Sequence, residues 1–329
     1  MTGRRIRAGR GTLETPRVIA ELPLPGLAIR PYCCVVISVI VPAHNESRVI
    51  GRLLSQLLPA AQRGDLDIIV VANGCLDDTA GIAASFQPAI RVLSIPVASK
   101  QAALAVGDRA ARAFPRVYLD ADVEVRASDL QELAAALREP GVLAAAPDRV
   151  LDLGGRPWTV RWYYDVWARL PEVRAGLFGR GVVALNEQGH ERFAGLPPVL
   201  ADDLAVSLLF TPRQRCIVPG AQVVVHTPRT LADLLRRRVR AAEGVAQIER
   251  ARQAPQSSAR TRLSDLLTIS LTSPVRPLRV ALFLAVAVYA RLGSRRAVAR
   301  DDYSAWRRDE SSREGASTHE PPVTTHLDD

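Results

Sequence analysis

Residues 35–46 read VVISVIVPAHNE. Val35, Val36, Ile37, Val39, Ile40 and Val41 form a short run of β-branched residues. Such a run predicts a buried parallel strand over residues 35–42. A helix is predicted to start near Asn45–Glu46, because Val49, Ile50, Leu53, Leu54, Leu57 and Leu58 recur at helical spacing. A strand that stops at proline and opens into polar residues before a helix makes a pocket floor at a sheet's carboxyl edge.

The same rhythm repeats downstream. DIIVVA (67–72) predicts a second strand and Asp78–Phe86 a second helix. IRVLSI (90–95), Lys100–Ala113 and VYL (117–119) give a third strand, a third helix and a fourth strand. Strands alternating with helices through short links predict a doubly wound sheet with ligands at the strand ends. Past Asp122 the pattern loosens: a helix near 128–138, then a strand over 141–147. Strands near 181–185 and 215–226 flank a helix starting at Asp202, and Thr230–Arg250 reads as one long arginine-rich helix. VALFLAVAVYA (280–290) is apolar all round but bracketed by Arg279 and Arg291. It falls short of the roughly 20 residues a bilayer span needs, so a buried or interfacial helix is expected.

The chain has 329 residues, 48% of them hydrophobic and 5% aromatic, with a formal charge of +9. Lys100 is the only lysine. No zinc-finger spacing, RNA-binding signature or aromatic-interleaved basic patch accompanies the arginines, so nucleic acid is not expected as a partner. Work beside anionic lipid or a diphosphate substrate is the more economical account of the charge. Cys33 and Cys34 are adjacent, Cys75 sits in a polar loop and Cys216 is distant, which argues for a reducing compartment without structural zinc. No hydrophobic run of signal length follows the basic start, so secretion is not expected.

The second strand ends as the first does, in ANGCLDDT (72–79). Asn73 and Gly74 suit a tight turn, and Asp77, Asp78 or Thr79 is able to cap the next helix. The fourth strand runs into LDADVEV (119–125). In an extended segment residues i and i+2 point the same way, so Asp120 and Asp122 converge. Two carboxylates at close range need a proton or a bridging cation, and a hard divalent ion with oxygen ligands supplies one. Glu124 points to the same side, though no motif claims it. In LADDLAVSLLF (200–210) the neighbours Asp202 and Asp203 lie about 100° apart on a helix and cannot both address one proton. One is left to act as a base while the other caps or orients.

Together VISVIVPAHNE (36–46), IIVVANGCLDDT (68–79), SKQAAL (99–104), LDADVEV (119–125) and LADDLAVSL (200–208) resemble, in order and spacing, the motifs of the family 2 glycosyltransferases of the GT-A fold. The resemblance covers residues 36–245. It implies an α/β fold whose doubly wound mixed sheet is flanked by helices, with a helical C-terminal extension. Pro42, Ala43 and Glu46 would line the base and ribose pocket, Asn73 would reach the base, and Lys100 would sit beside the nucleotide. In the family's DXD motif Asp120 would lie near the ribose and Asp122 would bind Mg²⁺ or Mn²⁺. The family's base maps to Asp203, with Asp202 standing where glutamate is usual. Some metal-dependent members carry a third ligand on a histidine a little over twenty residues further on, which makes His226 a ligand candidate. Polymer-forming relatives have Gln-x-x-Arg-Trp where this chain has Arg237, Arg240 and Ala241. The missing tryptophan argues against processive polymerisation, and the two arginines remain candidates for the diphosphate. Trp162, Tyr163, Tyr164 and Trp167 are either an acceptor platform or core. Arg180, between Gly179 and Gly181, is an acceptor-loop candidate.

The resemblance implies an inverting, metal-dependent enzyme that moves a sugar from a UDP- or GDP-linked donor to a hydroxyl acceptor on a glycolipid, polysaccharide or small molecule. Its alternatives are a catalytically silent glycosyltransferase-like binding protein and another nucleotide-sugar enzyme such as a nucleotidyltransferase. The expected layout is an extended lead-in (1–34), a nucleotide-sugar-binding half (35–125) and an acceptor and catalytic half (126–252). A helical, membrane-associated extension (253–308) and a disordered tail (309–329) would follow. The expected place is the cytoplasm, at the inner face of the cell membrane.

Overall fold

The computed structural model describes residues 35–195, 202–251, 261–271 and 276–299. The expected lead-in and tail lie outside them. In chain order the first half holds β1 (Ile37–Ala43), α1 (Ile50–Gln62), β2 (Leu66–Asn73), α2 (Thr79–Ala84), β3 (Ile90–Ile95), α3 (Lys100–Ala110), β4 (Arg116–Leu119) and β5 (Glu124–Val125). Then come α4 (Ala127–Ala136), β6 (Ala144–Asp152), α5 (Trp158–Trp167), α6 (Pro171–Ala175), β7 (Val182–Leu185), α7 (Glu187–Ala194), α8 (Asp202–Leu209) and β8 (Arg215–His226). Three helices close the described chain: α9 (Leu231–Ala251), α10 (Leu263–Leu271) and α11 (Arg276–Ala299).

One eight-stranded sheet runs in the order β3-β2-β1-β4-β7-β6-β8-β5. The first four are parallel, β2 pairing with both β3 and β1, and β1 with β4. From β4 onward the sheet is mixed: β7 is antiparallel to β4 and β6, β6 is parallel to β8, and β5 is antiparallel to β8. The expected doubly wound mixed sheet is what forms. β1 is buried along its whole length, which is why its side chains do not alternate in polarity. The α1 residues Ile50, Leu53, Leu54 and Leu57 seal one face of it and are fully buried. Each contributes roughly 1.5–3 kcal/mol by leaving water.

Three boundaries differ from the sequence expectation. α1 begins at Ile50 rather than near Asn45, because Asn45 takes a left-handed conformation (φ 51°) that no helix continues through. β6 starts at Ala144 instead of 141, after Gly141 at φ +84°. The apolar run at 280–290 belongs to a helix of 24 residues, since Arg279 does not end it.

Candidate active site

The first two loops are built as one unit. Asn73 Nδ2 donates to the Ala43 carbonyl at 2.9 Å, and the Leu76 N–H donates to Asn45 Oδ1 at 2.6 Å. The Glu46 N–H donates to Thr79 Oγ1 at 2.6 Å and the Ser47 N–H to Asp77 Oδ2 at 3.1 Å. Burial pushes the Asp77 carboxyl up, but hydrogen bonds from Thr79 and Ser47 outweigh it and hold its pKa below the usual value. Asp78 occupies the N-cap of α2 without a side-chain cap bond. Asp77 and Thr79 therefore serve the contact between loops, while Asp78 caps by position only. Ala43, Glu46 and Asn73 are buried in this network. Asn73 Oδ1 is buried with no hydrogen-bond donor among the described residues.

β4 stops at Leu119, and Ala121 and Asp122 form a turn before β5. The DAD segment is thus not extended, and simple alternation does not describe how its carboxylates sit. Lys100 opens α3, whose Ser99 cap accepts the Ala102 N–H, and its Nζ reaches Asp120 Oδ1 at 2.7 Å. The Asp120 N–H donates to the Gly181 carbonyl at 2.8 Å. Gly181 has φ +67°, and a Cβ there would lie 2.6 Å from Val123 Cγ1 and 3.3 Å from Asp120 Cβ. Only glycine lets the β7 entrance lie this close to the DAD turn. Pro42, Lys100, Asp120, Gly181 and Asp203 share the walls of one cleft at this sheet edge.

Asp203, one residue into α8, accepts the Gly179 N–H through Oδ2 at 2.7 Å. It also lines a second, larger cleft of about 1010 Å³, part of it open to solvent. That cleft has Tyr164, Trp167 and Phe283 on its apolar side and Arg237 and Arg238 on α9. Ala241 is part of its wall, so the tryptophan absent from the sequence leaves open space there. Asp202 precedes Asp203 on α8, and its side chain lies outside the described residues. Arg240 is half-buried on α9 and does not line the cleft.

The aromatic segment divides by helix face. Tyr163, Tyr164 and Trp167 are buried in a core with α11, Tyr163 stacking on Phe283 at 5.2 Å. Trp162 is half-buried and packs edge-on against the exposed Trp158, with Arg279 over its ring. Core packing thus takes most of the cluster, and two of its rings still reach the cleft.

Arg180 is not an acceptor contact here. Its side chain is 1% exposed, and the guanidinium donates to the carbonyls of Pro147, Arg174 and Gly176 and to Asp148. It fastens the turn after α6 to β6, and burial lowers its pKa although Asp148 opposes the shift.

His226 closes β8 directly opposite Asp152 on β6, with Glu124 on β5 as its diagonal neighbour. Nδ1 lies 3.1 Å from Asp152 Oδ2 and Nε2 2.8 Å from Glu124 Oε1. Burial pushes the Asp152 carboxyl up, but the hydrogen bonds from His226 and the Gly154 N–H and the nearby Arg156 charge hold its pKa below the usual value. The two carboxylates flank the ring on opposite sides, and no cage of three or more such ligands is assembled among the described residues. A hard ion that completes its shell with water and substrate phosphate needs only one or two carboxylates, and the oxygen donors of the DAD turn fit that requirement.

Arg149 was not legible as a site residue. Its guanidinium lies 4.7 Å over the Trp167 ring, donates to the carbonyls of Val173 and Phe178, and feels the Asp203 charge. Burial and then the like charge of Arg180 push its pKa down to about 9, against the pull of Asp148 and Asp203. It braces the segment that presents Gly179 to Asp203.

Residues 38–185 match the family model "Glycosyl transferase family 2". Among solved structures, a mannosyltransferase from Pyrobaculum calidifontis in complex with GDP-Man and Mn²⁺ superposes with a TM-score of 0.52 at 22% identity. The match covers 82% of this chain and 75% of that one. A glucosyl-3-phosphoglycerate synthase from Mycobacterium tuberculosis, with Mn²⁺, UDP-Glc and phosphoglyceric acid bound, gives a TM-score of 0.50 at 22% identity. There the match covers 68% of this chain and 81% of that one. At such identities the likeness establishes the fold, GT-A. No curated protein matches the chain.

Proposed function

We propose, from the match of residues 38–185 to the family 2 glycosyltransferase model, that the chain moves a sugar from a nucleotide diphosphate to a hydroxyl acceptor with inversion at the anomeric carbon. One observation carries the reading: Asp203 belongs to the walls of both clefts, the one with Lys100 and Asp120 and the one with Trp167 and Arg237. A base at such a seam faces a donor on one side and an acceptor on the other. Asp203 takes the proton of the acceptor hydroxyl as its oxygen attacks the anomeric carbon. The bond to the diphosphate oxygen breaks on the opposite face, and the departing oxygen keeps the electron pair. The Gly179 N–H holds the carboxylate in place through one oxygen.

Asp120 and Lys100 bind the donor's ribose and phosphate side. The buried, donorless Asn73 Oδ1 supports a contact with the base. A divalent ion, Mg²⁺ or Mn²⁺, would be held by Asp122 and would neutralise charge on the diphosphate, while His226, with both ring nitrogens on Asp152 and Glu124, would join it only by giving up one of those contacts. The two mixed-composition walls suit a hydroxyl acceptor with both apolar and anionic parts, and open space at Ala241 favours single transfer over polymer growth. The nucleotide sugar and the free thiols of Cys75 and Cys216 fit a cytoplasmic enzyme.

Asp203→Asn tests the reading. Nucleotide binding by calorimetry should persist while transfer falls by roughly 10²–10⁴-fold. Retained turnover removes Asp203 as the base.

A further inference from the structure

The outward sides of the last two described helices carry apolar side chains that no described residue covers. On α10, Leu263, Leu267 and Leu271 recur every fourth residue and are 74%, 64% and 87% exposed, while Leu266 and Ile269 turn inward. On α11, Leu278, Val288 and Leu292 are exposed, whereas Val280, Phe283 and Val286 pack into the core shared with α5. The two helices pack against each other. Soluble helices at a surface carry polar residues on the outer side; these carry leucine and valine.

Charge selects the partner. From Leu266 to Ala299 the sequence contains no acidic residue and has arginine at 276, 279, 291, 295 and 296. Arg279 is committed to Asp165 at 2.8 Å, while Arg291 and Arg295 are exposed. Asp265, in the first turn of α10, is the one acidic residue on the two helices, and an apolar face flanked by arginine with so little opposing charge suits anionic headgroups over hydrocarbon.

Arg276–Arg295 is long and apolar enough to cross a bilayer by length and composition alone. Its inner face argues against crossing, since a spanning helix would give up the Tyr163–Phe283 stack and the Arg279–Asp165 pair. We infer that α10 and α11 dock the enzyme on an anionic lipid surface, with α11 lying in the interface plane. Phe283, on the inner side of the same helix, is part of the wall of the Asp203 cleft. The cleft then lies about one helix diameter, roughly 10–12 Å, from the lipid, within reach of a hydroxyl carried on a membrane lipid. This last clause rests on the glycosyltransferase reading; the docking itself does not.

Flotation of the full chain with vesicles tests it. With equal parts phosphatidylglycerol and phosphatidylcholine the protein should float, and with phosphatidylcholine alone it should partition on the order of tenfold less. Combined Leu267→Glu, Leu278→Glu and Val288→Glu should abolish flotation while nucleotide-sugar hydrolysis and the thermal midpoint stay near wild type. Because that triple variant could misfold, Val288→Trp provides a second readout: its added fluorescence should be quenched by brominated lipid. Arg291→Gln with Arg295→Gln should lower partition on the order of tenfold. A wild-type protein that stays at the bottom of the gradient overturns the inference. So does a dimer in light scattering that the triple variant dissociates, or vesicle binding that survives a carbonate wash as a spanning helix would. Loss of hydrolysis with flotation intact would strike the proposed reaction and leave the docking surface standing.

Discussion

The Asp203 carboxylate is tied to the Gly179 N–H at 2.7 Å, and Gly179 itself sits at φ +67°. A side chain at that position meets Trp167 at 3.1 Å in a backbone conformation that L residues rarely adopt. Gly179→Ala should therefore displace the donor of this bond and with it the carboxylate. A turnover loss of about 10²-fold is expected, since misplacements near 1 Å have that effect. Nucleotide affinity should not change. Turnover within twofold of wild type would show that the bond does not position Asp203.

Lys100 pairs with Asp120 at 2.7 Å in the wall of the cleft they share with Pro42 and Asp203. Lys100→Met removes the cation proposed to meet the donor's phosphates. A charge-assisted hydrogen bond is worth roughly 1.5–3 kcal/mol, so nucleotide affinity should drop by about tenfold or more. Calorimetry with UDP and GDP reads this directly, and equal affinity in the variant would place the phosphates elsewhere.

Metal dependence should reside in the DAD turn. Adding Mn²⁺ or Mg²⁺ is expected to strengthen UDP or GDP binding to the wild type but not to Asp122→Asn. The companion variant His226→Gln separates ligand from scaffold. If His226 only joins β5, β6 and β8 through Glu124 and Asp152, its loss lowers the thermal midpoint and spares the metal effect.

The carboxyls of Asp77 and Asp152 have pKa values below their ordinary 3.8 because of the hydrogen bonds they accept. A group depressed in the folded state contributes stability above its unfolded value, and that contribution is lost as pH falls through the folded one. The thermal midpoint should hold above pH 3.8 as far as these groups are concerned and decline below it. Asp77→Asn should start less stable at neutral pH and lose less on acidification. Parallel acid profiles for variant and wild type would contradict the assignment.

The strands β1 to β4 were legible because each carries a short run of β-branched or other bulky apolar residues, alternating with helical segments. The helix starts at Lys100 and at Asp202–Asp203 were legible because polar residues ahead of an apolar-periodic run are a local signal, whereas the choice of Asp203 over Asp202 came from the family resemblance. What failed to show was set by distant partners. Asn45 leaves the helix to accept the Leu76 N–H, 31 residues away. Arg180 looked like a free loop cation, yet its partners are carbonyls of Pro147, Arg174 and Gly176, which no side-chain pattern advertises. Arg279 read as the end of an apolar run because its charge is answered by Asp165, 114 residues earlier. The ring of His226 is held by carboxylates 74 and 102 residues away, a relationship visible only once β5, β6 and β8 are in register.

At the join between the parallel and mixed parts of the sheet, Leu119 on β4 pairs with Val182 on β7, and the ladder is extended by the Asp120 N–H to the Gly181 carbonyl. A seam stitched by backbone holds its register whatever side chains it carries. The approach of the DAD turn to the β7 entrance is therefore fixed by main chain and, Gly181 apart, does not depend on which side chains line the rim. The same rigidity frees evolution on the far side. The cleft walls supplied by α5, α9 and α11 come from other elements and are open to substitution without altering that register.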